Sequence, residues 1–287
     1  MSHPNTQLGW KAELNLSFEK SAHKTVLASR SQSGPLTVQR PFYPEDDVCH
    51  LYILHPPGGV VGGDELHINV DLQKDASTLI TTPGATKFYR SKDLNDGGML
   101  AYQIQTLRVA GGCGLEWFPQ ENIFFDETHT HLSTKIELEK TARFMGWEIN
   151  CYGRPASKEL FKNGKVMTRL EVYRDGSPLL LDRLLIDGKD ALQSRVSMND
   201  YPCFGTFIAT HVTEDLLEKA RDIVKEVVET TKDNQLQIGI TLMDDLLIAR
   251  CLGQHAEQVS TTLKAVWSAL RPEVMQRPVC LPRIWST

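Results

Sequence analysis

Trp10-Lys11-Ala12-Glu13-Leu14-Asn15-Leu16-Ser17-Phe18 alternates apolar and polar residues without a break. Trp10, Ala12, Leu14, Leu16 and Phe18 fall on one face, and Lys11, Glu13, Asn15 and Ser17 on the other. A period of two is the signature of a half-buried strand. Further strands are expected at Lys24–Ser29, Cys49–Leu54, Leu66–Leu72, Ser77–Thr82, Ala101–Val109, His131–Leu138, Arg143–Cys151, Lys165–Arg174 and Leu179–Leu185. Turn residues separate them: Ser33-Gly34-Pro35, Pro44-Glu45-Asp46-Asp47, Asp96-Gly97-Gly98, Asn163-Gly164 and Asp175-Gly176. The last two pairs suit two-residue hairpin turns. Short strands at this spacing predict a sandwich, a barrel or a coiled sheet. No fixed sequence period marks a simple repeat solenoid.

The last quarter changes character. Thr213–Thr230 reads as an amphipathic helix, with Thr213 as N-cap and Glu214 and Asp215 at the positive end of the dipole. Its apolar stripe is Leu216, Leu217, Ala220, Ile223, Val224, Val227 and Val228. Gln237–Leu242 and Leu246–Cys251 read as a strand pair. A second helix is expected over Gln254–Leu270, with Val259, Leu263, Val266 and Trp267 inward and Pro272 just beyond its end. With no linker-like tract, the expectation is one domain over residues 1–287, strand-rich over 10–210 and helix-containing over 211–287.

The chain has 287 residues and a formal net charge of −5, with both signs interspersed. That balance argues against a nucleic-acid binder, which usually carries a basic stripe. Met1–Gln7 lacks the basic and apolar regions of a signal peptide, and no apolar run reaches the length of a membrane span. The expectation is a soluble, cytoplasmic protein. Six cysteines (Cys49, Cys113, Cys151, Cys203, Cys251, Cys280) are scattered without a C-x-x-C pair, which fits neither a zinc knuckle nor a redox dithiol. They read as buried small hydrophobes.

His55-Pro56-Pro57-Gly58-Gly59-Val60-Val61-Gly62-Gly63-Asp64 holds four glycines and two prolines in ten residues. Such a segment is a shaped loop, because proline withholds a donor and clustered glycine is tolerated where chain turns or approaches closely. An imidazole and a carboxylate bracket it. Two readings stand: a polar site at His55 and Asp64, or Asp64 capping a turn through its own backbone.

Other segments carry weaker signals. Thr81–Arg90, with Pro83-Gly84, Lys87 and Arg90, could form an anion nest, or a type II turn between strands with both cations solvated. His129 and His131 share one face of an extended segment and suit a divalent metal, or a polar hairpin end. Glu116, Glu121, Asp126 and Glu148 sit among Trp117, Phe118, Phe124, Phe125 and Trp147. They line a channel wall or face solvent. No G-x-S-x-G, H-E-x-x-H, Walker A or G-x-G-x-x-G motif is present. A hydrolase or transferase would have to use His55 and Asp64 as its base pair.

Seven segments, in order from Trp10 to Trp285, resemble the UreD (UreH) family of urease accessory proteins. They are Pro35–Glu45, His55–Asp64, Thr81–Ser91, Leu115-Glu116-Trp117-Phe118-Pro119-Gln120-Glu121, Gly146-Trp147-Glu148-Ile149, Gly153-Arg154-Pro155-Ala156 and Pro282-Arg283-Ile284-Trp285. Leu94–Gly98 and Asn199–Cys203 match least well. The resemblance implies a coiled β-sheet like a β-helix, with two helices. It implies a non-enzymatic factor that joins an all-helical UreF-type partner and a UreG-type GTPase, docks on apo-urease and assists nickel insertion, with an internal tunnel for the ion. No permanently bound cofactor is expected, only transient Ni2+. Carried onto this chain, His55 and Asp64 are the leading candidates for transient nickel contacts, followed by Glu148 and Cys151. Gly58, Gly59, Gly62, Gly63, Pro83, Gly84, Lys87 and Arg90 are motif positions, and Arg283 and Trp285 are candidate partner contacts. The alternative is a pure adaptor that bridges urease to the complex without touching nickel.

Overall fold

The computed structural model describes residues 9–230 and 236–286, so the reading of Met1–Gln7 lies outside the described residues. The strands, in chain order, are β1 (Lys11–Ser21), β2 (Lys24–Ser33), β3 (Thr37–Val38), β4 (Cys49–Leu54), β5 (Glu65–Gln73) and β6 (Ser77–Thr81). Then come β7 (Thr86–Phe88), β8 (Ala101–Val109), β9 (Gly114–Phe118), β10 (Asn122–Phe124), β11 (His129–Leu138) and β12 (Arg143–Arg154). The last are β13 (Glu159–Leu160), β14 (Lys165–Arg174), β15 (Ser177–Asp187), β16 (Cys203–Ala209), β17 (Leu236–Met243) and β18 (Leu246–Gly253). The helices are α1 (Gly188–Gln193), α2 (Glu214–Thr230) and α3 (Ala256–Val274).

Two sheets stack face to face. One runs β15-β14-β11-β8-β5-β1-β2, the other β17-β18-β16-β12-β9-β6-β4-β3. From β5 to β12 the chain places one strand in each sheet per turn. β5, β8 and β11 are parallel neighbours in the first sheet, and β6, β9 and β12 in the second. Parallel strands need a crossover, and here the opposite sheet supplies it, so the chain coils as in a β-helix. Short β7 and β10 form a third side. The expected coiled sheet is therefore the one formed.

Strand parity builds the core. In β1, Ala12, Leu14, Leu16 and Phe18 are all fully buried, as period two requires. Trp10 departs from that face. It precedes the strand and is 62% exposed. Register carries each inward position across the first sheet, as in the row Leu14, Ile68, Gln105, Thr134, Leu170, Asp182. The far face of the second sheet packs under the helices, with Trp147, Ile149 and Cys151 against Leu217, Ala220, Val259, Leu263 and Trp267. Helix α2 starts where Thr213 accepts from the Leu216 backbone N–H at 3.4 Å, the expected N-cap.

Several local expectations change. Asp175-Gly176 does join β14 to β15 with both residues at positive φ. Asn163-Gly164 is no hairpin: Gly164 turns beneath the Thr128 backbone and leads into β14, which pairs parallel to β11. Gly84 lacks the positive φ that a type II turn needs, although Lys87 and Arg90 are solvated. Pro272 lies inside α3. It removes one donor in the last turn, and the buried side chains of Arg271 and Val274 hold that turn in place. Strands β3, β7, β9, β10, β13 and β16 and helix α1 were not anticipated.

Candidate functional site

The inward face of the coil is mainly apolar, with its amide and carboxylate side chains gathered along one seam. On β8, Gln103 and Gln105 occupy positions whose neighbours on the same face are Ala101, Leu107 and Val109. Thr134 lies beside Gln105 in register on β11. Opposite, on β12, Gly146, Glu148 and Asn150 face the interior, and register carries Glu148 to Thr206 and then to Arg250. Arg250 reaches across the open side to Asp182 of β15, Nη2 to Oδ2 2.7 Å. A polar row thus runs between the sheets and ends on an ion pair at their edge.

Glu148 is its chemical centre. Oε1 accepts from Asn150 Nδ2 at 2.8 Å, and Asn150 Oδ1 accepts from Asn122 Nδ2 at 3.0 Å. The Thr134 hydroxyl lies 3.2 Å from Glu148 Oε2 and 3.4 Å from Gln105 Oε1, and its single hydrogen serves one of them at a time. No cation pairs with Glu148 among the described residues. Burial pushes its pKa up, opposed by the two hydrogen bonds and reinforced by the charge of Asp182. Protein surrounds it, yet the side chain keeps accessible area. A small cavity between the sheets, partly open, accounts for both facts.

That cavity holds about 20 Å3 and is lined by Gln105, Trp117, Thr134, Glu148 and Thr206, among others. The volume suits one water-sized body. A second cavity of about 190 Å3 shares Gln105, Trp117 and Pro119 with it, and continues past Gln103 to His55, Thr82, Pro83, Gly84 and Lys87. Gly146 lines the inner chamber where only glycine fits, since a Cβ there would meet the Phe144 ring at 2.6 Å and the Trp117 carbonyl at 2.9 Å.

The expected site residues divide. His55 lines the outer cavity, and burial lowers its pKa while the nearby charge of Asp64 opposes the shift. Asp64 itself is committed to backbone. Oδ1 accepts from Trp10 N at 2.8 Å and Oδ2 from Val61 N at 3.0 Å. This is the turn-capping arrangement, and His55 and Asp64 make no hydrogen bond with each other. Within the loop, Gly58 and Gly63 have positive φ, and Cβ atoms at Gly59 and Gly62 would strike Tyr89 and the Met99 carbonyl. Cys151 is parted from Glu148. It faces the helices, where its sulfur lies 3.0 Å from Cys203 Sγ. Arg283 is exposed, whereas Trp285 packs on Phe118, Trp147 and Trp267 and donates to Thr81 Oγ1 at 3.1 Å.

Of the other carboxylates, Glu116 is ion-paired to Arg271 at 2.9 Å, and Asp126 accepts from the backbone of Lys162 and Asn163. His129 and His131 share the outer side of β11, where His131 stacks on Tyr102. Gln103, Gln105, Thr134, Asn150 and Thr206 were missed by sequence reasoning. Their signal was a polar residue at an inward parity position, as in Ala101-Tyr102-Gln103-Ile104-Gln105-Thr106-Leu107.

The profile of the UreD urease accessory protein family matches residues 11–286. This chain belongs to the UreD urease accessory family. The UreD protein of Alcanivorax borkumensis is 44% identical over 283 residues, covering 97% of this chain and 93% of that one. The Citrobacter koseri UreD is 43% identical, covering 100% and 95%, and the Klebsiella aerogenes UreD is 42% identical, covering 99% of each. As a UreD family member, the chain carries the coiled sheet that its resemblance implied. No helix among its described residues is long and apolar enough to cross a membrane.

Proposed function

We propose that this family member matures urease by passing Ni2+ along the seam between its two sheets, as a non-catalytic part of a cytoplasmic complex. The partners in this reading are a UreF-type helical protein, a UreG-type GTPase and apo-urease. The observation that carries it is Glu148: a carboxylate between the sheets with no cationic partner among the described residues, in a cavity sized for one water.

Ionised buried carboxylates are costly unless paired. A passing cation is the partner this one lacks. Amide and hydroxyl oxygens of Gln105, Asn150, Asn122, Thr134 and Thr206 can replace part of the ion's water shell. A conduit must hold its cargo weakly, and one carboxylate among neutral oxygens binds Ni2+ more loosely than a cage of imidazole and thiolate. His55 stands at the outer cavity as an early contact, and Asp64 holds the loop that presents it. Catalysis by the lone chain has less support, because Asp64 is occupied by backbone donors and no hydrogen bond orients His55.

The test is to remove this gene from nickel-fed cells that retain the other accessory proteins, and then to restore it. Nickel-poor, inactive urease that recovers on restoration supports the maturation role. Fully loaded urease without the chain overturns it. A pure adaptor would also be required for maturation, and substitutions inside the seam distinguish it.

A further inference from the structure

A second cluster of metal-binding side chains lies on the opposite face of the second sheet from Glu148. His50 on β4 points towards the helix side, Glu45 precedes it in the β3–β4 connection, and Cys280 follows α3. One ligand atom of each lies within 4.8 Å of the others. His50 is fully buried, Glu45 nearly so, and Cys280 is half-buried, which leaves a path from solvent.

Two observations show that this cluster is not already satisfied. The Nδ1 of His50 is buried without any hydrogen-bond partner, and such orphan atoms are rare in cores. The local charge is also unbalanced. Arg271 is the one buried cation among the described residues. It faces two carboxylates, with Nη2 2.7 Å from Glu45 Oε1 and 2.9 Å from Glu116 Oε2. The neighbouring Arg277 is spent on Asp47, in a bidentate pair at 2.7 and 2.8 Å. With the His50 imidazole neutral, as a metal ligand requires, Arg271 leaves one of these two carboxylate charges uncompensated. Glu45 Oε1 takes both His50 and Arg271, which leaves Oε2 free.

We propose that Glu45, His50 and Cys280 form a site for a borderline divalent cation of the zinc class, which fastens the C-terminal tail to the sheet. An imidazole, a carboxylate and a thiolate are ligands that such ions select over magnesium or calcium. Binding displaces the thiol proton of Cys280 to solvent. Two carboxylates, a thiolate and one guanidinium then leave two negative charges, which a divalent ion neutralises. The tail is already placed for this, since Arg271 donates to the Pro278 carbonyl and Arg277 holds Asp47. The site is independent of the seam and of the reading given to it.

The test uses the full chain, reduced and chelator-treated, titrated with Co2+ as a spectroscopic probe. One equivalent should give a thiolate-to-cobalt charge-transfer band, and Zn2+ should displace it. In Cys280→Ser the band should vanish and Co2+ binding should weaken by about tenfold or more, since even outer-shell partners cost that much. Cys113→Ser, a cysteine outside this cluster, should keep it. Zn2+ should also protect the tail from limited proteolysis in the parent chain and not in Cys280→Ser. No band in the parent chain overturns the proposal, as does a band that survives Cys280→Ser or is lost in Cys113→Ser. Because Cys280 is half-exposed, Cys280→Ser should retain the parent's unfolding temperature, so loss of the band reads binding and not folding.

Discussion

Glu148 and Cys151 stand three residues apart on β12 and point to opposite faces of the same sheet. Glu148 faces the chamber between the sheets, and Cys151 packs beneath the helices. Odd and even positions of a strand never share a face. A single ion therefore cannot use both side chains, and the polar groups of the seam are oxygens and amides without a thiolate.

Glu148 should lower the stability of the protein at neutral pH. Burial raises its folded pKa, while the unfolded carboxylate titrates near about 4.3. Between those values the folded state holds more protons than the unfolded state, so stability falls as pH rises through that window. Glu148→Gln removes this loss. Thermal unfolding should show the variant more stable than the parent at pH 7, with the difference closing near pH 4. Equal stability at pH 7 would mean that the carboxylate is compensated.

Arg271 should be the costliest charge to remove. It is fully buried and serves Glu45 and Glu116, and Trp267 Nε1 also donates to Glu116 at 2.7 Å. Arg271→Met leaves two buried carboxylates without their cation and should cost about 3–5 kcal/mol in denaturant unfolding. A loss under about 1 kcal/mol, the range of exposed pairs, would contradict the burial of this network.

Asp64 distinguishes a loop cap from a metal ligand. Its carboxylate accepts two backbone N–H groups. Asp64→Ala should cost about 0.5–1.5 kcal/mol, since both donors lie where water can replace the carboxylate. Asp64→Asn keeps one acceptor oxygen and should retain most urease activation. If Asn lowers activation as severely as Ala while the protein remains folded, the charge itself is needed and Asp64 contacts the ion.

Thr134→Val tests the seam with little change in shape. It deletes the hydroxyl between Gln105 and Glu148. The variant should fold and assemble, lose about 1–3 kcal/mol of stability for its unmatched acceptors, and deliver nickel more slowly in a timed urease-activation assay. Unchanged activation kinetics would remove Thr134 from the path.

Much of the fold was legible because it rests on parity. The alternation from Ala12 to Phe18 defined β1, and Thr213 with the stripe at Leu217 and Ala220 defined α2. The longer strands that escaped notice fail that pattern for a physical reason. In β9, Leu115, Trp117 and Phe118 are all buried, because one face meets the coil and the other meets the helices. The same double burial hid β16. Asn163-Gly164 carried a hairpin signal, but its positive φ was used for a close approach to Thr128 and not for reversal. At the site, the sequence marked Glu148 and Cys151 equally, and only strand direction separates them. Glu45 and Cys280 meet across 235 positions of chain, a contact that no local pattern encodes.

The central claim is that Ni2+ crosses the interior past Glu148. The most direct measurement is the nickel content of urease matured in cells carrying Glu148→Gln, alongside co-purification of the variant with urease and the other accessory proteins. The account predicts an assembled complex whose urease is nickel-poor. Fully loaded urease from the same complex would contradict it, and would leave the chain as an adaptor whose interior carries no ion.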